Sequence, residues 1–398
     1  MSDQAAAGGA AWRRGARGDA RVARVQADAW VARVRADAAA ARIRAVARVR
    51  AGAGGARVRA ARTWEPPNAR RWLQLALGAV WLLDAELQYQ AFMFTKGFGQ
   101  MLAATAPGNP AVIAGPIIWS ARIIEAHPGP VNAAFATIQL LLGLGIIWRP
   151  AVKAALAASV VWSVAVWWLG EGLGGVLAGT ASPLSGAPGA VILYGLLAVL
   201  LWPVSQPVPV GKSGPAGMSR LQAPFEAARA VGAGAARLLW LVLWGSLAWF
   251  AVGPAASRAA QGPHDMISAM ASGEPGWLAA IDDGAARLLA GNGLPAAVVL
   301  AVLFTLIAVG IYAPRPAARA AVVTAIVAAA AIWVAGQDLG GVFTGSSTDP
   351  QSGLLLMMLA AAYWPRRLAD VSPAPEISPA LTSGDSLTAG ATAPAEGR

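Results

Sequence analysis

From residue 71 onward, long apolar stretches alternate with short polar or Gly/Pro-rich segments. A helix that crosses the hydrocarbon layer needs about 20 predominantly apolar residues. Eight segments approach that pattern: 71–93, 131–148, 151–170, 187–203, 237–253, 294–312, 317–335 and 352–365. The pattern predicts an all-α polytopic membrane protein of about eight transmembrane helices. Trp72, Trp148, Trp167, Trp168, Trp202, Trp240, Trp333 and Trp364 fall near the segment ends, as in an interfacial aromatic belt. Two longer segments, 96–130 and 254–293, mix apolar and polar residues, and Pro110 and Pro116 interrupt the first. They read as interfacial or re-entrant helices. Counting the first as a span would move Arg149 to the outer side, against the distribution of basic residues.

Composition sharpens this picture. Of 398 residues 57% are hydrophobic and 13% charged, and the mean hydropathy is +0.53. Soluble domains carry about 25% charged residues, so a soluble globular enzyme and a disordered chain are both excluded. The absence of Cys removes disulfides, thiolate metal sites and Cys nucleophiles, and the two His argue against a multi-His metal centre.

The net charge of +11 sits wholly in residues 1–71, which hold 16 Arg, no Lys and five acids. The Arg/Ala-rich arm 1–69, with units such as Ala32-Arg33-Val34-Arg35, is expected to be cytoplasmic and either disordered or a surface helix. It has no apolar run of the secretory-leader type. It reads as a solvated tail, as a segment lying on an anionic lipid surface at about 1 kcal/mol per Arg, or, least favoured, as a nucleic-acid contact; a start further downstream is a fourth reading. Loop segments assigned to the inner side carry ten further basic residues against four on the outer side, which places both termini in the cytoplasm of a bacterial plasma membrane. The domain reading is an arm 1–69, membrane segments 70–203 and 237–365, a cytoplasmic linker 204–236 and a disordered tail 366–398.

The chain also matches itself when shifted by 165 or 166 residues. Arg149-Pro150 falls on Arg315-Pro316, Trp167 on Trp333, and Leu173-Gly174-Gly175-Val176 on Leu339-Gly340-Gly341-Val342. Trp202-Pro203 and Trp364-Pro365 close the two copies. Rare residues in register predict a duplication. With an even number of crossings per copy, the copies run parallel, and the cleft between them is the default place for a site.

The stretch Gln139-Leu140-Leu141-Leu142-Gly143-Leu144-Gly145-Ile146-Ile147-Trp148-Arg149-Pro150-Ala151 joins a Gly-rich helix, a tight basic turn and an Ala-rich helix. Together with Leu77-Gly78-Ala79-Val80-Trp81-Leu82-Leu83-Asp84-Ala85, it resembles the DoxX/DoxD group of four-helix membrane proteins. More loosely, the chain resembles multi-pass membrane proteins of high-GC bacteria. The DoxX/DoxD resemblance implies a four-helix unit used twice and a redox-linked subunit near the quinone pool or beside a partner oxidoreductase. It carries no catalytic residue across.

Three sets of residues could carry chemistry. Asp84 and Glu86 lie about 20 Å along the first helix, and acids inside a membrane segment are functional candidates. Gln88 and Gln90 follow at four-residue spacing. If the helix ended near Leu83, these acids would simply sit in water. The second set is the repeated turn, Gly170-Glu171-Gly172-Leu173-Gly174-Gly175 and Gly336-Gln337-Asp338-Leu339-Gly340-Gly341. It reads either as helix capping with tight packing or as a ligand-lining loop. The third set, His127, His264, Met266 and Met270 with Met101, has soft ligands suited to Cu(I), but Met is also ordinary filler; no metal site is assigned. The candidate ligand or proton-path residues are Asp84, Glu86, Gln88, Gln139, Glu171 and Asp338. The functional classes are a redox-linked or partner-complex membrane subunit with a quinone as candidate cofactor, a small-solute or ion transporter with its site between the copies, and a scaffold without a site. The expected partners are the bilayer, anionic lipid under the arm, and a membrane protein.

Overall fold

The computed structural model describes residues 68–204, 223–253, 264–265, 267–268 and 273–366. Among these residues the chain is all-helical, with no β-strand. Nearly all of the arm 1–69, most of the linker 204–236, nearly all of the tail 366–398, and Met266 and Met270 lie outside the described residues.

Helix α1 (Ala69–Leu87) starts where the Asn68 side chain accepts the Arg71 N–H at 3.0 Å, satisfying one of the donors a helix start leaves free. A short pair follows, α2 (Lys96–Ala103) and α3 (Ala111–Ala126), packed on each other. Then come α4 (Pro128–Ile147), α5 (Val152–Leu169) and α6 (Ala190–Leu200). Within the end of the linker stands α7 (Glu226–Val231), followed by α8 (Ala233–Val252), α9 (Gly276–Leu289), α10 (Gly293–Gly310), α11 (Arg315–Ala335) and α12 (Gln351–Ala362). Prolines open α4 and α11, where a missing N–H costs nothing.

Five of these helices, α4, α5, α8, α10 and α11, are long and apolar enough to cross a membrane. A helix stands in each of the eight segments marked by the hydrophobic pattern, but three fall short of that standard. Helix α1 carries four charged residues. Helices α6 and α12 have 11 and 12 residues, about half the hydrocarbon thickness at 1.5 Å per residue. Each is preceded by a long Gly-rich turn, 170–189 or 336–350.

The packing runs α1–α4–α5–α6 and α8–α10–α11–α12, and α6 meets α12 where the two groups join. Helices α1 and α4 touch backbone to backbone: a Cβ on Gly143 would lie 2.9 Å from the Gly78 carbonyl oxygen, and one on Gly78 3.1 Å from that of Gly143. At one end, Arg71 donates to the Ile146 carbonyl at 2.9 Å and also to that of Ile147, placing a cation on the negative end of α4. Beside it, Glu226 is 4% exposed and pairs with Arg70 at 3.3 Å, with Arg229 at 3.4 Å and with Arg366. Arg70 also donates to the carbonyls of Trp202 and Glu226. This buried ionic knot fastens the start of α1, the end of the first group, the linker and the end of α12. The final part of the linker is therefore core: Phe225, Ala227 and Ala228 are buried.

The tryptophans divide differently from the belt expectation. Trp72, Trp148, Trp202 and Trp364 are exposed. Trp240 is fully buried against Trp244 and Tyr363, with its Nε1 donating to the Ile307 carbonyl at 2.9 Å. Trp167 and Trp333 are turn locks. Their Nε1 atoms each donate at 2.7 Å to a carbonyl, of Pro188 and Pro350.

Candidate functional site

Asp84 lies on the last full turn of α1, which runs on to Leu87. It is 1% exposed and accepts a hydrogen bond from the Tyr194 hydroxyl of α6 at 2.9 Å. Tyr194 is held in turn by Trp81, with ring centroids 4.3 Å apart, and the Trp81 Nε1 donates to Ser159 Oγ of α5 at 3.1 Å. Three helices thus position one carboxylate, each through a polar group embedded in an apolar face.

This carboxylate lines a cavity of about 180 Å³. The walls are aromatic and aliphatic: Trp81 of α1, Phe98 and Met101 of α2, Ile124 of α3, Phe135 of α4 and Trp162 of α5. Phe135 meets Trp162 edge-on at 5.4 Å and Phe98 at 6.3 Å. Gln88, Gln139 and Glu171 line the same space, and so do Thr348 and Asp349 from the turn before α12. Four of the six candidate residues therefore converge here. They come from positions as far apart as 84 and 171, brought together by α1–α4 packing and by the turn after α5.

Among the described residues, four polar atoms of this lining are buried without a hydrogen-bond partner: Gln88 Oε1, Gln139 Oε1, Glu171 Oε2 and the Trp162 Nε1 donor. Such atoms are rare, and each calls for an explanation. Asp349 differs: its Oδ1 accepts the Gln351 N–H at 2.8 Å and its Oδ2 the Thr348 hydroxyl at 2.9 Å.

Glu171 also borders a second pocket of about 440 Å³, under the Gly-rich turn. That pocket is lined by Thr105, Gly174, Gly175, Thr180, Ser185 and Gln351 among others. Glu171 Oε1 accepts the Val191 N–H at 3.0 Å. Burial, with Asp349 nearby, lifts its carboxyl to about 8. The turn itself is unusual, because Leu173 and Gly174 both have positive φ (56° and 63°). A Cβ on Gly174 would collide with the Pro188 carbonyl, so only glycine fits there.

The other two candidates lie elsewhere. Glu86 is exposed, on the opposite side of α1 from Asp84; two residues along a helix turn the side chain by about 200°. Asp338 is buried beside Asp282 of α9. Burial first, then a shared hydrogen bond with Asp338, raises Asp282 to about 7; burial also raises Asp338 and Glu274. Of the Met/His set, Met101 lines the aromatic cavity. His127 is exposed at the start of α4, and His264 Nδ1 sits 3.0 Å from Asp265. Among the described residues no group of three His, Cys, Asp or Glu could hold a metal ion.

Sequence reasoning left Tyr194, Trp162 and Phe135 unassigned. Tyr194 had a usable signal, since a hydroxyl inside an apolar helix needs a partner. Phe135 and Trp162 look like ordinary apolar positions. No protein-family model, curated protein or solved structure matches this chain.

Proposed function

We propose that the chain is a redox-linked or partner-complex membrane subunit, like the DoxX/DoxD unit used twice, that holds the ring of a quinone-like molecule in the aromatic cavity. The observation that carries this reading is the set of atoms unpartnered among the described residues in a largely apolar, aromatic space: one donor, Trp162 Nε1, and the acceptors of Gln88, Gln139 and Glu171. A quinone offers carbonyl acceptors to the first, and its reduced form offers hydroxyl donors to the others. An apolar cavity of about 150 Å³ admits a benzene ring, so a space of about 180 Å³ suits one ring. The tail would leave past α5, whose wall residues Trp162, Ala165 and Val166 are only half-buried.

The duplicated architecture of eight crossings belongs to the same proposal, and matched details support it. Leu339 and Gly340 repeat the positive φ of Leu173 and Gly174 (55° and 87°). The Trp167–Pro188 and Trp333–Pro350 bonds are equal in length. Val191 N–H to Glu171 and Gly353 N–H to Gln337 measure 3.0 and 2.9 Å. A parallel arrangement with both termini in the cytoplasm is supported by the gathering of Arg70, Arg229 and Arg366 at one end. The arm would then lie against anionic lipid on that side.

The test uses the full chain in mild detergent, titrated with a short-chain benzoquinone while tryptophan fluorescence is read. Saturable quenching that is lost in Asp84→Asn and in Gln139→Leu supports the reading. Quenching that never saturates, or that both variants retain, overturns it. A second reading, transport of a small solute, is favoured by the contact of the polar pocket with the cavity at Glu171. Solute uptake into proteoliposomes, absent in Asp84→Asn, would select it.

A further inference from the structure

The slot occupied by Glu171 occurs twice in the molecule, and the two occupants differ by one atom type. Gln337 follows α11 as Glu171 follows α5. Its Oε1 accepts the Gly353 N–H at 2.9 Å, just as Glu171 Oε1 accepts that of Val191 at 3.0 Å. The second arm of Gln337 is fully used: Nε2 donates to the Pro183 carbonyl at 3.1 Å and to Ser352 Oγ at 2.9 Å. The second arm of Glu171, Oε2, makes no hydrogen bond among the described residues, although the Ala190 backbone also lies against this carboxylate. The anchoring bond of the slot, from a backbone N–H of the following helix, is therefore made equally well by an amide. What the carboxylate adds is an ionisable oxygen at the boundary of two cavities, one polar and one aromatic.

We propose that Glu171 is a proton relay, exchanging a proton between water in the polar pocket under the Gly-rich turn and a basic oxygen in the aromatic cavity. Oε2 takes a proton that hydronium from the bulk solvent delivers through the polar pocket, which leaves a water molecule and a neutral side chain. It then gives the proton to a cavity acceptor and returns to the carboxylate, so one proton enters and one leaves per cycle. Oε1 stays on the Val191 N–H throughout, so the fold is undisturbed. The groups that face Glu171 are Asp349 from the turn before α12, Tyr194 of α6 and Asp84 of α1. Among the described residues neither cavity is lined by a Lys, Arg or His. A value of about 8 keeps the proton in play near neutral pH. The inference depends on the proposed quinone site only for the destination of the proton.

Infrared titration of the full chain in detergent tests it without any ligand. The wild type should show a carboxylic-acid carbonyl band that vanishes with a midpoint near pH 8 and shifts promptly in heavy water. Glu171→Gln should lack the band and melt at the wild-type temperature, as the Gln337 slot implies. With a benzoquinone bound, wild-type affinity should inflect near the same pH, and Glu171→Gln should lose the inflection while keeping the low-pH affinity. A missing band, or one that does not exchange in heavy water, overturns the relay. If Glu171→Gln fails to fold, Glu171→Asp decides: a titrating, exchanging acid band in that variant upholds the relay, and its absence overturns it. If no benzoquinone binds at all, the quinone reading falls, and the infrared titration still decides the role of Glu171.

Discussion

The two four-helix groups are packed alike and filled differently. In the first, α1, α4 and α5 border a cavity with three carboxylates (Asp84, Glu171 and Asp349), two Gln amides and Trp162 on its walls. In the second, the corresponding core is filled by rings: Trp240, Trp244, Phe304 and Tyr363 are all 0% exposed, with centroids 4.7–5.8 Å apart. Of the polar side-chain atoms of these four, only Trp244 Nε1 lacks a hydrogen-bond partner among the described residues. Gly78 of α1 lets α4 approach to backbone contact, whereas its counterpart 165 residues on is the buried Leu243. One scaffold can be spent on stability in one place and on an unsatisfied polar cavity in the other, because helix contacts at the ends hold both.

The largest expected difference between the groups is in stability. Trp244→Ala should cost about 3–5 kcal/mol, since it opens a void in a closed core. Trp162→Ala, at the edge of an existing cavity, should cost less than half of that and abolish benzoquinone quenching. Thermal melts in detergent compare the two, and equal losses would mean that the first group is as tightly filled as the second. Next is the knot that joins the groups. Glu226→Ala strands Arg70 among buried neighbours and should cost about 3 kcal/mol, seen as an early, separate melting step for one group.

Filling the cavity sharpens the contrast further. Gln139→Leu removes a buried acceptor without a donor and should raise stability by about 1 kcal/mol while abolishing ligand binding. A loss of stability would show that the amide is structurally satisfied. The last contrast is in the pH dependence of the second group. Asp282 is lifted from 3.8 to about 7, so the folded state holds its proton more tightly than the unfolded chain. Its stabilising contribution is complete below pH 3.8 and is lost as pH rises to about 7. Melting temperature should fall across that window, and Asp282→Asn should flatten the slope.

Much of the candidate site was legible in the sequence. Asp84 stood out because an acid inside an apolar helix is expensive, Gln88 because it follows Asp84 by four residues, Gln139 as a lining residue between the copies, and Glu171 because a glycine turn framed it. The same reasoning retained Glu86, which the helical turn points away from the cavity, and Asp338, which pairs with Asp282 instead. Two residues along a helix are enough to separate a buried carboxylate from an exposed one, and spacing shows this only once the packed face is known. Trp240 was read as an interfacial anchor because segment ends attract tryptophan, yet tertiary packing made it core.

The residue pattern alone determined that the chain is helical and suited to a membrane, because apolar runs of that length have no other stable setting. It also marked the paired Leu-Gly-Gly turns, since those residues recur in register. Only the tertiary structure decided which polar groups share a space. The aromatic cavity is made by Phe98, Phe135, Trp162 and Asp349 from four separate elements, and their convergence is set by helix crossing geometry, which no local stretch of sequence encodes.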